Sequence, residues 1–173
     1  MIPKTIVDVT PKWLSNILGL EITDLEVTKI GEGIGLLGDI YKVELFPSEY
    51  FPKSVVVKLP SSFEDNRQQG VALGMFEAEV LFYNQLGPMI NVGLPKIYHA
   101  DILEVTADFV IVMEDLSDLM MVSQSEGMSD SQAEAAVKVL AKIHSVWWGR
   151  MENHEFNWIP SMIGPRIEFV TQS

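Results

Sequence analysis

The pattern that most constrains this chain is a set of three glycines, Gly33-x-Gly35-x-x-Gly38, and what stands on either side of them. A dinucleotide-binding glycine fingerprint must open a helix. Here the glycines open Ile40-Tyr41-Lys42-Val43-Glu44-Leu45-Phe46, a β-branched and aromatic run that predicts a strand. Residues 25–30 (Leu-Glu-Val-Thr-Lys-Ile) precede them and also alternate. The glycines therefore belong to a hairpin, and the chain begins its sheet with two sequence-adjacent strands. Lacking Cβ, glycine lets the backbone approach a polyphosphate closely and point N–H groups at it. An ordinary glycine-rich hairpin with a bulge fits the loop as well.

The next strand narrows the choice. Residues 54–59 (Ser-Val-Val-Val-Lys-Leu) form an apolar run interrupted by Lys58. A lysine on a buried strand face costs several kcal/mol unless it is paired. Either Lys58 points to solvent from an edge strand, or it meets a carboxylate from the following helix. Residues 60–70 are polar and loop-like. Residues 71–86 then predict a helix, with Met75, Phe76, Val80, Tyr83 and Leu86 at helical spacing and Gly87-Pro88 ending it. Glu77 and Glu79 are two apart and cannot share a face. Glu79, next to Val80, is the candidate partner; Glu77 reads as a solvent charge.

Around this core, Thr10 and Pro11 start an N-terminal helix with Trp13, Leu14, Ile17 and Leu18 on one face and Gly19 as its stop. Residues 94–100 and 108–113 are further strands, the second leading into Glu114-Asp115-Leu116-Ser117. Residues 117–128 read as a loop. Ser129 and Gln132 fit a capping box. The helix they start carries Ala133, Ala136, Val137, Leu140, Ala141, His144 and Trp147 on one stripe, which predicts a core helix with His144 buried and hydrogen-bonded. From Gly149 the chain turns irregular and aromatic.

Composition excludes several classes. With no cysteine, neither disulfides nor thiolate metal sites are possible. His99, His144 and His154 lack metal-ligand spacing. A formal net charge of -12 argues against nucleic acid or an anionic membrane as partner. No apolar run approaches the roughly 18–20 residues of a membrane-spanning helix, and the first residues do not read as a signal peptide. A soluble, cytoplasmic protein is expected.

Taken in order, Gly33-x-Gly35-x-x-Gly38-x-Ile40, Val55-Val-Val-Lys58, Glu79-Val-Leu-Phe-Tyr83, Pro95-Lys-Ile-Tyr98, Val112-Met-Glu-Asp-Leu116 and Leu140-Ala-Lys-Ile-His144 resemble the aminoglycoside/choline-kinase-like phosphotransferase superfamily. The Glu-x-x-Phe-Tyr and Glu-Asp-Leu elements resemble its ecdysteroid-kinase-like (CHK-type) branch most. The resemblance implies an α+β fold: a protein-kinase-like N-terminal lobe of about five antiparallel strands with a packed helix over residues 1–116, and the incomplete start of a helical C-terminal lobe over 117–173. It implies transfer of the γ-phosphoryl group of ATP, with Mg2+, to a hydroxyl of a small molecule. By position, Gly33, Gly35 and Gly38 would cover the phosphates, with Ile40 at the hydrophobic position two residues after the last glycine. Lys58 would contact them, Glu79 would hold Lys58, and the segment of Met113, Glu114 and Leu116 would hold adenine.

One departure from the resemblance is large. A His-Gly-Asp-x-x-x-x-Asn catalytic loop and a later metal-binding aspartate are absent from the sequence, and no aspartate follows Asp130. No catalytic or metal-ligating residue is therefore assigned. The chain is expected to be a truncated phosphotransferase that binds Mg-ATP weakly or not at all and transfers no phosphate. The alternatives are a non-catalytic nucleotide-binding or interaction module completed by a partner chain, with self-association near Trp147, Trp148 and Trp158, or an unrelated α+β domain with a structural hairpin. The acceptor is not readable from these residues.

Overall fold

The computed structural model describes residues 2–31, 37–47, 49, 51–103, 106–123, 125–150 and 156–159. Five antiparallel strands form one sheet in the order β1-β2-β3-β5-β4. They are β1 (Asp24–Ile30), β2 (Gly38–Phe46), β3 (Ser54–Pro60), β4 (Ile97–Leu103) and β5 (Asp108–Glu114). The helices are α1 (Pro11–Leu18), α2 (Glu64–Ala72), α3 (Met75–Leu81) and α4 (Asp130–Trp147). This is the α+β arrangement of a kinase-like N-terminal lobe with one further helix.

Alternation divides the sheet into two faces. Val43 and Leu45, Val55, Val57 and Leu59, and Val110 and Val112 turn to one side, where Leu14 of α1 completes a sealed core. Thr10 caps α1, its hydroxyl accepting the Trp13 N–H at 3.2 Å. Phe109 and Ile111 turn to the other side, against Phe76 and Val80 of α3. The sheet is thus covered by helix on both faces, by α1 across the back and by α3 over part of the front.

Residues 64–69 carry no apolar side chain, which predicts a loop, yet they are helical. Acidic Glu64 and Asp65 in the first turn favour the helix dipole. The Gln68 side chain donates to Glu64 at 2.9 Å, and Arg67 pairs with buried Asp108 at the start of β5. The single helix expected over 71–86 is broken instead. Gly74, at φ 61°, turns the chain between α2 and α3, and a π-helical turn follows α3 over Phe82–Leu86. At that corner Phe76 packs so closely on Gly70 that a Cβ there would come within 2.2 Å of the ring.

The expected core helix α4 also differs. Ser129 and Gln132 form the predicted capping box, but none of its residues is buried. Val137 is 64 % exposed and Leu140 49 %. His144 is exposed rather than buried. Periodicity shows which stripe of a helix is apolar, not whether something covers it.

Candidate functional site

The front face of the sheet brings the predicted residues together. Ile40 and Lys58 are cross-strand partners, and Lys58 lies opposite Ile111 on its other side. One row along, Lys42, Val56 and Met113 share the face. Lys42 and Lys58 are the lysines that this face carries on β2 and β3.

Lys58 is held from above by α3. Burying Phe76 and Val80 against Phe109 and Ile111 fixes the rotation of α3 and aims Glu79 at the lysine. The Lys58 Nζ donates to Glu79 Oε1 at 2.8 Å and Oε2 at 2.7 Å. The two side chains are 23 % and 28 % exposed, so the pair is anchored on the protein side and reachable from solvent. An ammonium has three donors, and a carboxylate on one side leaves capacity for an anion on the other. Glu77 faces away and is exposed.

Gly38 has a role that loop chemistry does not predict. It sits on β2 opposite Pro60, and a Cβ at that position would lie 3.0 Å from the Leu59 carbonyl oxygen and 3.1 Å from Lys58 Cε. The missing side chain lets β2 lie flat against the stem of the lysine. Gly33 and Gly35 lie outside the described residues.

At the far end of the face, β5 runs into the segment around Leu116. Met113 stays on the front face opposite Val56. The Glu114 side chain turns to the back, where Oε2 accepts the Lys96 N–H at 3.0 Å, while its own N–H donates to the Lys96 carbonyl at 2.8 Å. Asp115 is the residue that sequence reasoning missed. Its Oδ2 accepts from Ser54 Oγ at 2.6 Å and from Lys42 Nζ at 3.0 Å, and its Oδ1 accepts the Ser117 N–H at 2.9 Å. Burial pushes this carboxyl up, but hydrogen bonds from Ser54, Ser117 and Lys42 outweigh it and hold the group well below the ordinary carboxylate range. The hydrogen bond to Asp115 in turn holds the Lys42 ammonium above its usual value. A cavity of about 540 Å3 borders this segment, lined by Ser54, Tyr98, Glu114, Asp115, Leu116 and Leu119 among others, but by neither Lys42 nor Lys58. The cavity of about 400 Å3 between the π-helical turn and β4 includes neither Lys58 nor Glu79.

A signal for Lys42 was present: it is two residues beyond Ile40 on the same strand, so alternation puts it on the same face. For Asp115 the sequence offers only its place in Glu-Asp-Leu, with no sign of the partners on β2 and β3. Among the described residues, no group of three or more His, Asp or Glu side chains could hold a metal ion. Among the described residues, too, no helix is long and apolar enough to cross a membrane.

No curated protein matches the chain. The model of the ecdysteroid kinase-like family matches residues 37–156, which is more than half of the sequence. That span takes in Gly38, Ile40, Lys58, Glu79, Met113, Glu114, Asp115 and Leu116, and begins after Gly33 and Gly35. With five antiparallel strands, a lysine on the third of them and its carboxylate on α3, the chain belongs to the ecdysteroid kinase-like family, a family of kinase-like phosphotransferases.

Proposed function

We propose that this chain is the nucleotide-binding lobe of an enzyme that transfers the γ-phosphoryl group of ATP to a hydroxyl of a small molecule. The observation that carries this reading is the Lys58–Glu79 pair on the front of the sheet, fixed by α3 and open on its outer side. In phosphoryl transfer the protein positions the reactants and stabilises charge. The Lys58 ammonium would sit against the α- and β-phosphates, with Glu79 holding it in place. Ile40 and Val56 would form the roof over the base, and the backbone near Glu114 and Leu116 would take its polar edge. The glycine hairpin, Gly33 and Gly35 included, would close over the triphosphate.

On this reading residues 1–116 are the nucleotide lobe and residues 117–173 begin the lobe that carries the acceptor. The carboxylate that orients the acceptor hydroxyl and the ligands for Mg2+ come from outside these 173 residues, because the sequence has no His-Gly-Asp segment. The acceptor is a small alcohol.

Calorimetric titration with Mg-ATP tests the proposal. Weak binding that disappears in Lys58→Met is expected, with no phosphate transferred to any alcohol. Equal binding by both proteins, or none by the native chain, overturns it.

A second reading has one observation in its favour: Val137 and Leu140 on the apolar stripe of α4 are exposed. The chain would then be a module completed by a partner or a second copy, meeting it along α4 and the tryptophans at 147, 148 and 158. A monomer by light scattering at high protein concentration counts against self-association.

A further inference from the structure

The segment after β5 is tied down more firmly than a plain strand end requires. Asp115, with its side chain 8 % exposed, joins three parts of the chain at once: β2 through Lys42, β3 through Ser54 and its own segment through the Ser117 N–H. Lys42 adds a second link, donating to Ser117 Oγ at 3.1 Å. Behind it, Glu114 is fixed to Lys96 by two hydrogen bonds. Between these fixed points the N–H of Leu116 has no hydrogen-bond partner among the described residues. A free donor is held between clamped neighbours.

The clamp connects to the lysine pair through the sheet. Lys42 is two residues from Ile40, which is the cross-strand partner of Lys58. Ser54 lies four residues before Lys58 on β3, about 13 Å along the strand. The same two strands therefore carry Lys58 at one end and grip the segment around Leu116 at the other. A ligand that spans both ends gains affinity when their separation is fixed before it arrives.

We infer that Asp115 is a positioning residue: its carboxylate, gripped by Lys42 and Ser54, fixes the free backbone N–H of Leu116 at a set distance from Lys58, so that base and triphosphate are bound in register. This deepens the reading above and rests on it. The hydrogen bonds themselves are why a carboxylate is needed: one oxygen takes two donors from neighbouring strands while the other takes the local N–H. An amide offers a single acceptor oxygen and cannot satisfy all three.

The test compares Mg-ATP with Mg-tripolyphosphate, which has the charges but no base, on native chain, Asp115→Asn, Lys42→Met and Lys58→Met. In Asp115→Asn, affinity for ATP should fall about tenfold while affinity for tripolyphosphate stays at the native value. Lys58→Met should lose both. Lys42→Met, which leaves Asp115 in place, should show the Asp115→Asn pattern more weakly, and Lys42→Arg should recover the native one. It also serves as the second variant if Asp115→Asn does not fold. ATP affinity unchanged in both Asp115→Asn and Lys42→Met overturns the positioning role and leaves the lysine site intact. An equal fall for ATP and tripolyphosphate overturns it too, since that is general loosening of the lobe. Absence of nucleotide binding by the native chain overturns the site and this role together.

Discussion

The two faces of one sheet follow opposite rules, although the same strands supply both. On the back, Val43, Leu45, Val55, Val57, Leu59, Val110 and Val112 meet α1 in an apolar layer sealed from water. On the front, Lys42, Ser54, Lys58 and Glu79 are polar and partly exposed; Lys58 binds Glu79, while Lys42 and Ser54 bind the nearly buried Asp115 carboxylate. Back-face residues exchange water for packing, which holds the fold. Front-face residues exchange water for each other and stay accessible, a poor source of stability but suitable for a ligand. The sheet is thus a partition between a part that makes the lobe stand and a part that gives it chemistry.

The largest effect should come from the back. Leu14→Ala removes a fully buried side chain from α1 and should cost about 2–5 kcal/mol in a urea melt. Affinity for Mg-ATP should be unchanged in whatever fraction stays folded. A smaller loss is expected at the α2–α3 corner. Gly70→Ala gains up to about 1 kcal/mol of helix propensity, yet pushes a Cβ into the Phe76 ring, which is stacked on Phe109 at 4.7 Å. Overpacking of this kind costs about 1–3 kcal/mol, so a net fall in the urea midpoint is expected. A rise would mean that the corner yields freely.

Acid should weaken the lobe at places on both faces. Asp39 is raised by burial but lowered more by Lys29 and Ser62; Asp108 is raised by burial but lowered more by Thr106, Lys4 and Arg67. Asp115 is lowered likewise. A carboxylate with a lower value folded than unfolded contributes its full stability above the unfolded value, about 3.9, and loses it as pH falls towards the folded value. The urea midpoint should hold steady down to about pH 5 and fall below about pH 4. Asp108→Asn should be less stable at neutral pH and flatten that fall. A profile level to pH 2 would show that these ion pairs contribute nothing. The smallest stability effect belongs to Lys58→Met, about 1 kcal/mol or less, because Glu79 can reach water when its partner goes. A loss comparable with that of Leu14→Ala would break the division between the faces.

What could be read in the sequence was local. Thr10-Pro11 and Gly19 bound α1 as expected, β-branched, aromatic and apolar runs marked the strands, and Ser129 with Gln132 marked the start of α4. Lys58 and Glu79 were found because the lysine broke an apolar strand and the glutamate adjoined a helix stripe. What was missed depended on distant partners. α2 shows no periodicity because it is held partly by Arg67 on Asp108, 41 residues away. The Asp115 clamp joins residues 61 positions apart through Ser54. The stripe of α4 was legible, but its burial was not, since that depends on a neighbour rather than on the helix.

Strand β3 sets a reading frame for the whole lobe. It is hydrogen-bonded on both sides, with Lys58 in line with Ile40 on β2 and Ile111 on β5. Inserting one residue before Lys58 would exchange the faces of everything on one side of the insertion. Lysine would enter the sealed layer and valine would replace it beside Glu79, so core and site would fail in one step. Additions between β2 and β3, at residues 47–53, shift no residue within either strand. Variation in length should therefore collect in that turn, and the seven residues of β3 should be the least editable stretch of the chain.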